Sequence, residues 1–145
     1  AAQPSAEARP VGDVLKGANI LVIDDELAVR TLAESALKMC GCHTWGFRNG
    51  AEALEHLQNS SEIPDLILSD NSMPVMDGPE VFRNVRTAHP EIPIAIMSGY
   101  LVDLDEYVGE GDLRPPEAFL QKPFEFQQLA EMVRGVLEDY HREAS

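Results

Sequence analysis

Three short runs in this chain contain no polar side chain: Ile20-Leu21-Val22-Ile23, Leu66-Ile67-Leu68 and Ile94-Ala95-Ile96-Met97. A strand with one wet face alternates polar and apolar residues. A continuous apolar run therefore marks a strand buried on both faces, as in a parallel sheet. His43-Thr44-Trp45-Gly46-Phe47 and Ala118-Phe119-Leu120-Gln121 are weaker strand candidates. Helical stripes fill the intervals. Val29, Leu32, Ala33, Ala36, Leu37 and Cys40 recur at the spacing of one buried helix face, and Gly41 stops that helix. Asn49-Gly50-Ala51-Glu52 reads as a capping box, with Leu54 and Leu57 on the apolar side. Asp77-Gly78-Pro79-Glu80 repeats the start signal ahead of Val81, Phe82 and Val85. The last helix follows Pro123 and turns Phe126, Leu129, Ala130, Val133, Leu137 and Tyr140 inward.

The stretch from Ser98 to Glu117 breaks this regularity. Leu101, Leu104, Tyr107 and Val108 support one or two helical turns before Gly109, Gly111, Pro115 and Pro116 end them. A short or irregular fourth helix is predicted. The order is strand then helix, five times. It predicts an α/β fold with a five-stranded parallel sheet and helices on both faces. Residues 1–17 are rich in Ala, Pro and small polar residues and read as a linker or flexible tail. Val14 and Leu15 could pack on the edge of a domain spanning 18–143.

A chain of 145 residues suits one domain of this kind. Its 25 acidic against 11 basic residues leave a net charge of −14, which opposes a phosphate backbone and an anionic membrane surface alike. No apolar run approaches a bilayer span, and the N-terminus lacks a signal pattern. Two cysteines make no disulfide framework. A soluble cytoplasmic domain is expected, without direct nucleic-acid or membrane contact. The charges of Glu7, Arg9, Asp13 and Lys16 cancel, so the acidic excess lies after residue 18. It forms either a solvated skin or a site.

In open parallel sheets the functional crevice lies at the carboxyl ends of the strands. The first strand ends in Asp24-Asp25, the third in Ser69-Asp70, the fourth in Ser98 and the fifth in Lys122-Pro123. Three carboxylates gathered there repel one another unless a hard cation joins them. Mg²⁺ takes oxygen ligands and keeps several waters. Such a cation leaves one carboxylate oxygen free to act as a nucleophile toward an anionic substrate, with a Lys and a hydroxyl to hold phosphoryl oxygens. The residues alone thus point to a Mg²⁺-assisted acyl-phosphate site.

Six segments carry a resemblance. They are Ile20-Leu21-Val22-Ile23-Asp24-Asp25-Glu26, Asn49-Gly50-Ala51-Glu52-Ala53-Leu54, Pro64-Asp65-Leu66-Ile67-Leu68-Ser69-Asp70, Met73-Pro74-Val75-Met76-Asp77-Gly78, Met97-Ser98-Gly99-Tyr100 and Phe119-Leu120-Gln121-Lys122-Pro123-Phe124. In order and spacing the chain resembles a response-regulator receiver domain of two-component signalling, a flavodoxin-like (βα)5 fold. The resemblance implies Asp70 as phosphoacceptor and Asp25 as a direct Mg²⁺ ligand, with Asp24 acting through a metal-bound water. The Ser72 backbone carbonyl completes the ligand set, and Mn²⁺ could substitute for Mg²⁺. Lys122 would contact the Asp70 carboxylate and the phosphoryl group. Ser98 and Phe119 would be the switch pair, and the Lys122–Pro123 bond would be cis. Ser72 and Tyr100 sit where aspartyl-phosphate lifetime is tuned. Phe119, where a Tyr is an alternative, has no hydroxyl to bond.

The implied donor is a histidine kinase or a histidine phosphotransfer protein. The chain would be no turnover enzyme, since it catalyses only its own phosphorylation and dephosphorylation. Asp103, Asp105, Glu106, Glu110, Asp112 and Glu117 face only Arg114 in sequence, so a charge-paired dimer on that side is not expected. A monomer or weak dimer is. The Ala/Pro-rich start and the Phe-Leu-Gln-Lys-Pro-Phe ending resemble the C-terminal receiver of a hybrid sensor kinase, with a stand-alone regulator as the alternative. One rival is a pseudo-receiver, an interaction module that takes no phosphate. Another is a haloacid-dehalogenase-type phosphatase, which would want an Asp at position 72. Cys40-Gly41-Cys42-His43 has zinc-ligand types but no second ligand pair, and is expected to be a helix end and strand start. His56, His89 and His141 are expected on the surface, and Trp45 and Phe47 in core or edge packing.

Overall fold

The computed structural model describes residues 14–73, 76–100, 102–108 and 113–144, with side chains as far as 140. The first thirteen residues of the expected linker, Pro74, Val75, Leu101, Gly109 to Asp112 and the side chain of His141 lie outside these. Ten elements alternate: β1 (Asn19–Ile23), α1 (Leu27–Met39), β2 (His43–Phe47), α2 (Gly50–Asn59), β3 (Leu66–Asp70), α3 (Gly78–Ala88), β4 (Ile94–Ser98), α4 (Leu104–Val108), β5 (Ala118–Gln121) and α5 (Phe126–Ala144). The strands form one parallel sheet in the order β2-β1-β3-β4-β5. The predicted short fourth helix is there, five residues long.

The apolar runs are explained by the two faces of the sheet. Ile20, Val22, Leu66, Leu68, Ala95 and Met97 pack against α1 and α5. Leu21, Ile23, Ile67, Ile94 and Ile96 point the other way, into a core with α2, α3 and Tyr107 of α4. Each of β1, β3 and β4 therefore supplies two cores through its period of two. Leu15, just ahead of β1, is itself buried in the first core, with Val14 against it. The helix starts also follow the sequence. The Asn49 side chain accepts a hydrogen bond from the Glu52 amide at 2.8 Å, and Asp77 accepts from the Glu80 amide at 3.1 Å.

Several expectations need correction. Leu32 is 55 % exposed, and Phe126 is also on the surface. The buried stripe of α1 is narrower than read, carried by Ala33, Ala36 and Leu37, with Cys40 only half-buried. In α5, Val136 takes a core position that the predicted stripe omitted. His56 is half-buried rather than on the surface, its ring tilted against Trp45 and Phe47 at 5.3 and 5.1 Å. Glu117 belongs to no free acidic face, because it pairs with both Arg86 and Arg114 at 2.9 Å.

The Cys40–His43 segment behaves as a helix end. Gly41, at φ 94°, turns the chain out of α1. Cys42 is buried and its thiol donates to the Leu15 carbonyl at 3.3 Å. Burial, helped by Cys40 and Asp65, pushes the Cys42 thiol up to about 12. At pH 8 its thiolate fraction is then on the order of a thousand-fold below that of an ordinary thiol. Native protein treated with iodoacetamide should leave Cys42 unmodified on peptide mapping, whereas urea-unfolded protein should be alkylated there. Rapid native alkylation of Cys42 would contradict this packing.

Candidate acidic functional site

The carboxyl ends of β1, β3 and β5 bring together the residues that the sequence placed at strand ends. Parallel register sets Ile23 beside Ser69, Asp70 beside Met97, and Ser98 beside Gln121. One residue beyond β1, Asp24 is fully buried. Its amide donates to the Phe47 carbonyl at 3.0 Å, and its own carbonyl accepts from the Arg30 guanidinium at 2.7 Å. Its Oδ1 accepts from the Glu26 amide at 2.9 Å. Asp70 ends β3 and is also buried, while Asp25 is exposed at the mouth. One ligand oxygen from each of Asp24, Asp25 and Asp70 lies within 4.8 Å of the others.

Lys122 closes this cluster from β5. Its ammonium donates to Asp70 Oδ1 at 2.8 Å and Asp24 Oδ2 at 2.9 Å, and stands 3.7 Å from Glu26 Oε1. Its amide donates to the Ser98 carbonyl at 2.7 Å, and the Lys122–Pro123 bond is cis. Burial raises the Asp70 pKa; Lys122 opposes this while Asp24 and Asp25 add to it. For Lys122 burial works downward, but hydrogen bonds to Asp70 and Asp24 outweigh it and the pKa is raised. One ammonium is shared by two carboxylates, so the cation gains from both and each carboxylate keeps part of it. The cluster remains anionic, with hard oxygen donors converging on one point. That donor set suits Mg²⁺ better than a soft metal.

The remaining expected residues surround the cluster. Ser98 is buried; its hydroxyl donates to the Tyr100 carbonyl at 2.7 Å and accepts from the Tyr100 amide at 3.2 Å. Ser72 is exposed in the loop after β3. Phe119 is 42 % exposed and lies edge-on to Tyr107, with centroids 6.1 Å apart. Sequence reasoning missed Glu26 as a second-rank partner of Lys122 and missed Asn71 altogether. The signal for Asn71 was its place between Asp70 and Ser72.

The comparisons with known proteins agree with this geometry. A family model described as "Response regulator receiver domain" matches residues 20–134. The chain is 36 % identical over 126 residues to sensor kinase CckA of Brucella abortus, covering 87 % of this chain and 13 % of that protein. It is 34 % identical over 124 residues to the DNA-binding transcriptional regulator NtrC of Escherichia coli, covering 86 % and 26 %. It thus spans only about a quarter or an eighth of these longer relatives. Against sporulation initiation phosphotransferase F of Bacillus subtilis it is 30 % identical, covering 81 % of this chain and 92 % of that one. Among solved structures, chemotaxis response regulator CheY4 of Vibrio cholerae superposes with a TM-score of 0.72 at 28 % identity, covering 83 % of this chain and 99 % of that one. With the family model spanning most of its length and the acidic cluster at the strand ends, the chain belongs to the response regulator receiver domain family.

Proposed function

We propose that Asp70 takes a phosphoryl group from a phosphohistidine on a histidine kinase or histidine phosphotransfer protein. The convergence of Asp24, Asp25, Asp70 and Lys122 at three strand ends carries this reading. An Asp70 carboxylate oxygen attacks phosphorus; the P–N bond breaks, and the imidazole nitrogen leaves with the electron pair. The product is an acyl phosphate on Asp70. Lys122 neutralises the attacking carboxylate and the equatorial phosphoryl oxygens. Asp24, Asp25, Asp70 and the Ser72 carbonyl would hold Mg²⁺, or Mn²⁺ in its place. The ion, when bound, supplies charge neutralisation between carboxylates and phosphoryl oxygens. Ser98 then turns its hydroxyl to a phosphoryl oxygen, and Phe119 follows. Ser72 and Tyr100 border the acyl phosphate and set its lifetime. The reaction modifies the chain once and is no turnover catalysis.

The partners and setting follow from this chemistry. A cytoplasmic kinase domain supplies the phosphohistidine, and the receiver acts as a monomer or weak dimer. Among the described residues no helix is long and apolar enough to cross a membrane. The match to CckA favours a receiver within a hybrid sensor kinase, and the match to NtrC keeps a regulator with an output domain in view.

Incubation with Mg²⁺ and acetyl phosphate, followed by intact mass, tests the reading. One phosphoryl mass is expected on the wild type and none on Asp70→Asn. EDTA should abolish the gain. Equal behaviour of wild type and Asp70→Asn would favour the pseudo-receiver.

A further inference from the structure

We propose that Tyr107 is a positioning residue that latches α4 onto the phosphoacceptor loop through Asn71 and holds the unphosphorylated conformation. This rests on the reading of Asp70 as phosphoacceptor. Asn71 is buried between Asp70 and Ser72, and all its polar groups are engaged. Its Oδ1 accepts from the Tyr107 hydroxyl, and its Nδ2 donates to the Tyr100 hydroxyl at 2.7 Å. Its amide donates to the Met97 carbonyl at 2.8 Å, and its carbonyl accepts from the Gly78 amide at 3.0 Å. Both tyrosines follow β4, so the loop after β3 is tied by two side-chain bonds to the segment carrying α4.

The packing leaves this tie little slack. Tyr107 is wholly buried, with its ring edge-on to Phe82 at 5.5 Å and to Phe119 at 6.1 Å. A Cβ added at Gly78 would stand 2.8 Å from the Tyr107 hydroxyl oxygen and 2.7 Å from the Asp70 carbonyl oxygen. Glycine is what lets ring and loop meet there.

The same network engages Ser98. Its one hydroxyl proton goes to the Tyr100 carbonyl. Offering that proton to a phosphoryl oxygen on Asp70 requires Ser98 to leave Tyr100. Tyr100 is in turn held through its own hydroxyl by Asn71, and Asn71 by Tyr107. Ser98 and Phe119 are therefore restrained by one chain of contacts. A phosphoryl group favours the released state and the latch favours the closed one. Weakening the latch must then tighten phosphoryl binding, because the coupling is reciprocal.

Beryllofluoride with Mg²⁺, a phosphoryl mimic, serves as the probe. Tyr107→Phe keeps the ring and removes the donor. It should bind beryllofluoride about five-fold more tightly, the size of one neutral hydrogen bond. In an Asn71→Ala background the same change should add nothing. Without Mg²⁺ or probe, amides of residues 104–108 should exchange about five-fold faster in Tyr107→Phe. Tyr100→Phe, at an exposed side chain that hardly tests folding, should act in the same direction. Unchanged or weaker beryllofluoride binding by Tyr107→Phe, or equal effects with and without Asn71, would overturn the latch. Wild type that binds no beryllofluoride would instead sink the phosphoacceptor reading. The exchange comparison then judges the latch alone, and unchanged exchange at 104–108 overturns it.

Discussion

Replacing Arg86 by alanine should destabilise the fold by about 3–5 kcal/mol, because it removes a buried side chain that donates to three backbone carbonyls and pairs with Glu117. The Arg86 side chain is 2 % exposed and 2.9 Å from Glu117 Oε1. It also donates to three backbone carbonyls: Ile92 at 3.1 Å, Arg114 at 3.1 Å and Pro115 at 2.9 Å. Its guanidinium lies over the Phe82 ring at 4.9 Å. Burial lowers its pKa and Glu117 opposes this, but a guanidinium stays charged throughout. Alanine would leave three carbonyls without their donor, while the Glu117 carboxylate keeps only Arg114 and the Ile94 amide. Glu117 Oε1 also accepts from the Ile94 amide at 2.7 Å, so the clasp fixes where β4 and β5 begin to pair. Urea titration should show the loss, and Tm should fall by on the order of 10 °C. Glu117→Gln keeps the shape and loses the charge, so it should cost less. A near-neutral Arg86→Ala would mean that residues 113–117 are held by their other contacts, those of Arg114 with Pro90 and of Glu117 with Ile94, and do not need the guanidinium.

This clasp also shows where the sequence stopped being informative. Strands buried on both faces announce themselves, because every residue of Ile20–Ile23 must be apolar whichever core it meets. Helix caps do the same, since Asn49 and Asp77 bond a backbone amide three residues ahead. The acidic site was legible because strand ends converge once the sheet is parallel. Arg86, Asn71 and Tyr107 were not. Apart from Ile92, six residues past Arg86, the groups that their side chains bond lie 28 to 36 residues away, beyond the reach of any local pattern. Arg86 did offer a signal, standing four residues after Phe82 on the face that also carries Val85. Glu117 looked like part of an acidic face for the same reason, since the cation opposite it is distant in sequence. Leu32 failed in the opposite sense: periodicity allowed it a core place, but α1 meets the sheet along the narrower Ala33–Ala36–Leu37 line.

Lys122→Met should have the second large effect, and its size should depend on pH and Mg²⁺. The wild-type ammonium stands between Asp70 and Asp24 at 2.8 and 2.9 Å. Without it, two buried carboxylates face each other with Asp25 close by. In EDTA near pH 8 the variant should lose on the order of 3 kcal/mol, the cost of stranding buried charge. Burial already raises the Asp70 pKa, and losing the ammonium removes the main opposing influence. The native state then binds a proton more tightly than the unfolded chain. With more protons bound in the native state, stability falls as pH rises from the unfolded carboxylate value through the folded one. Acidification toward pH 5 should therefore recover part of the loss in the variant, and more of it than in the wild type. Mg²⁺ should recover stability at pH 8, because a cation that binds only the native cluster shifts the folding equilibrium. Phosphoryl uptake from acetyl phosphate should nonetheless stay depressed, since on the proposed mechanism the ion does not replace the Lys122 ammonium beside Asp70. Urea titrations at pH 5 and pH 8, with EDTA or Mg²⁺, separate these effects. A variant as stable as wild type in EDTA at pH 8 would show that water already screens the three carboxylates and that Lys122 is not their counter-ion.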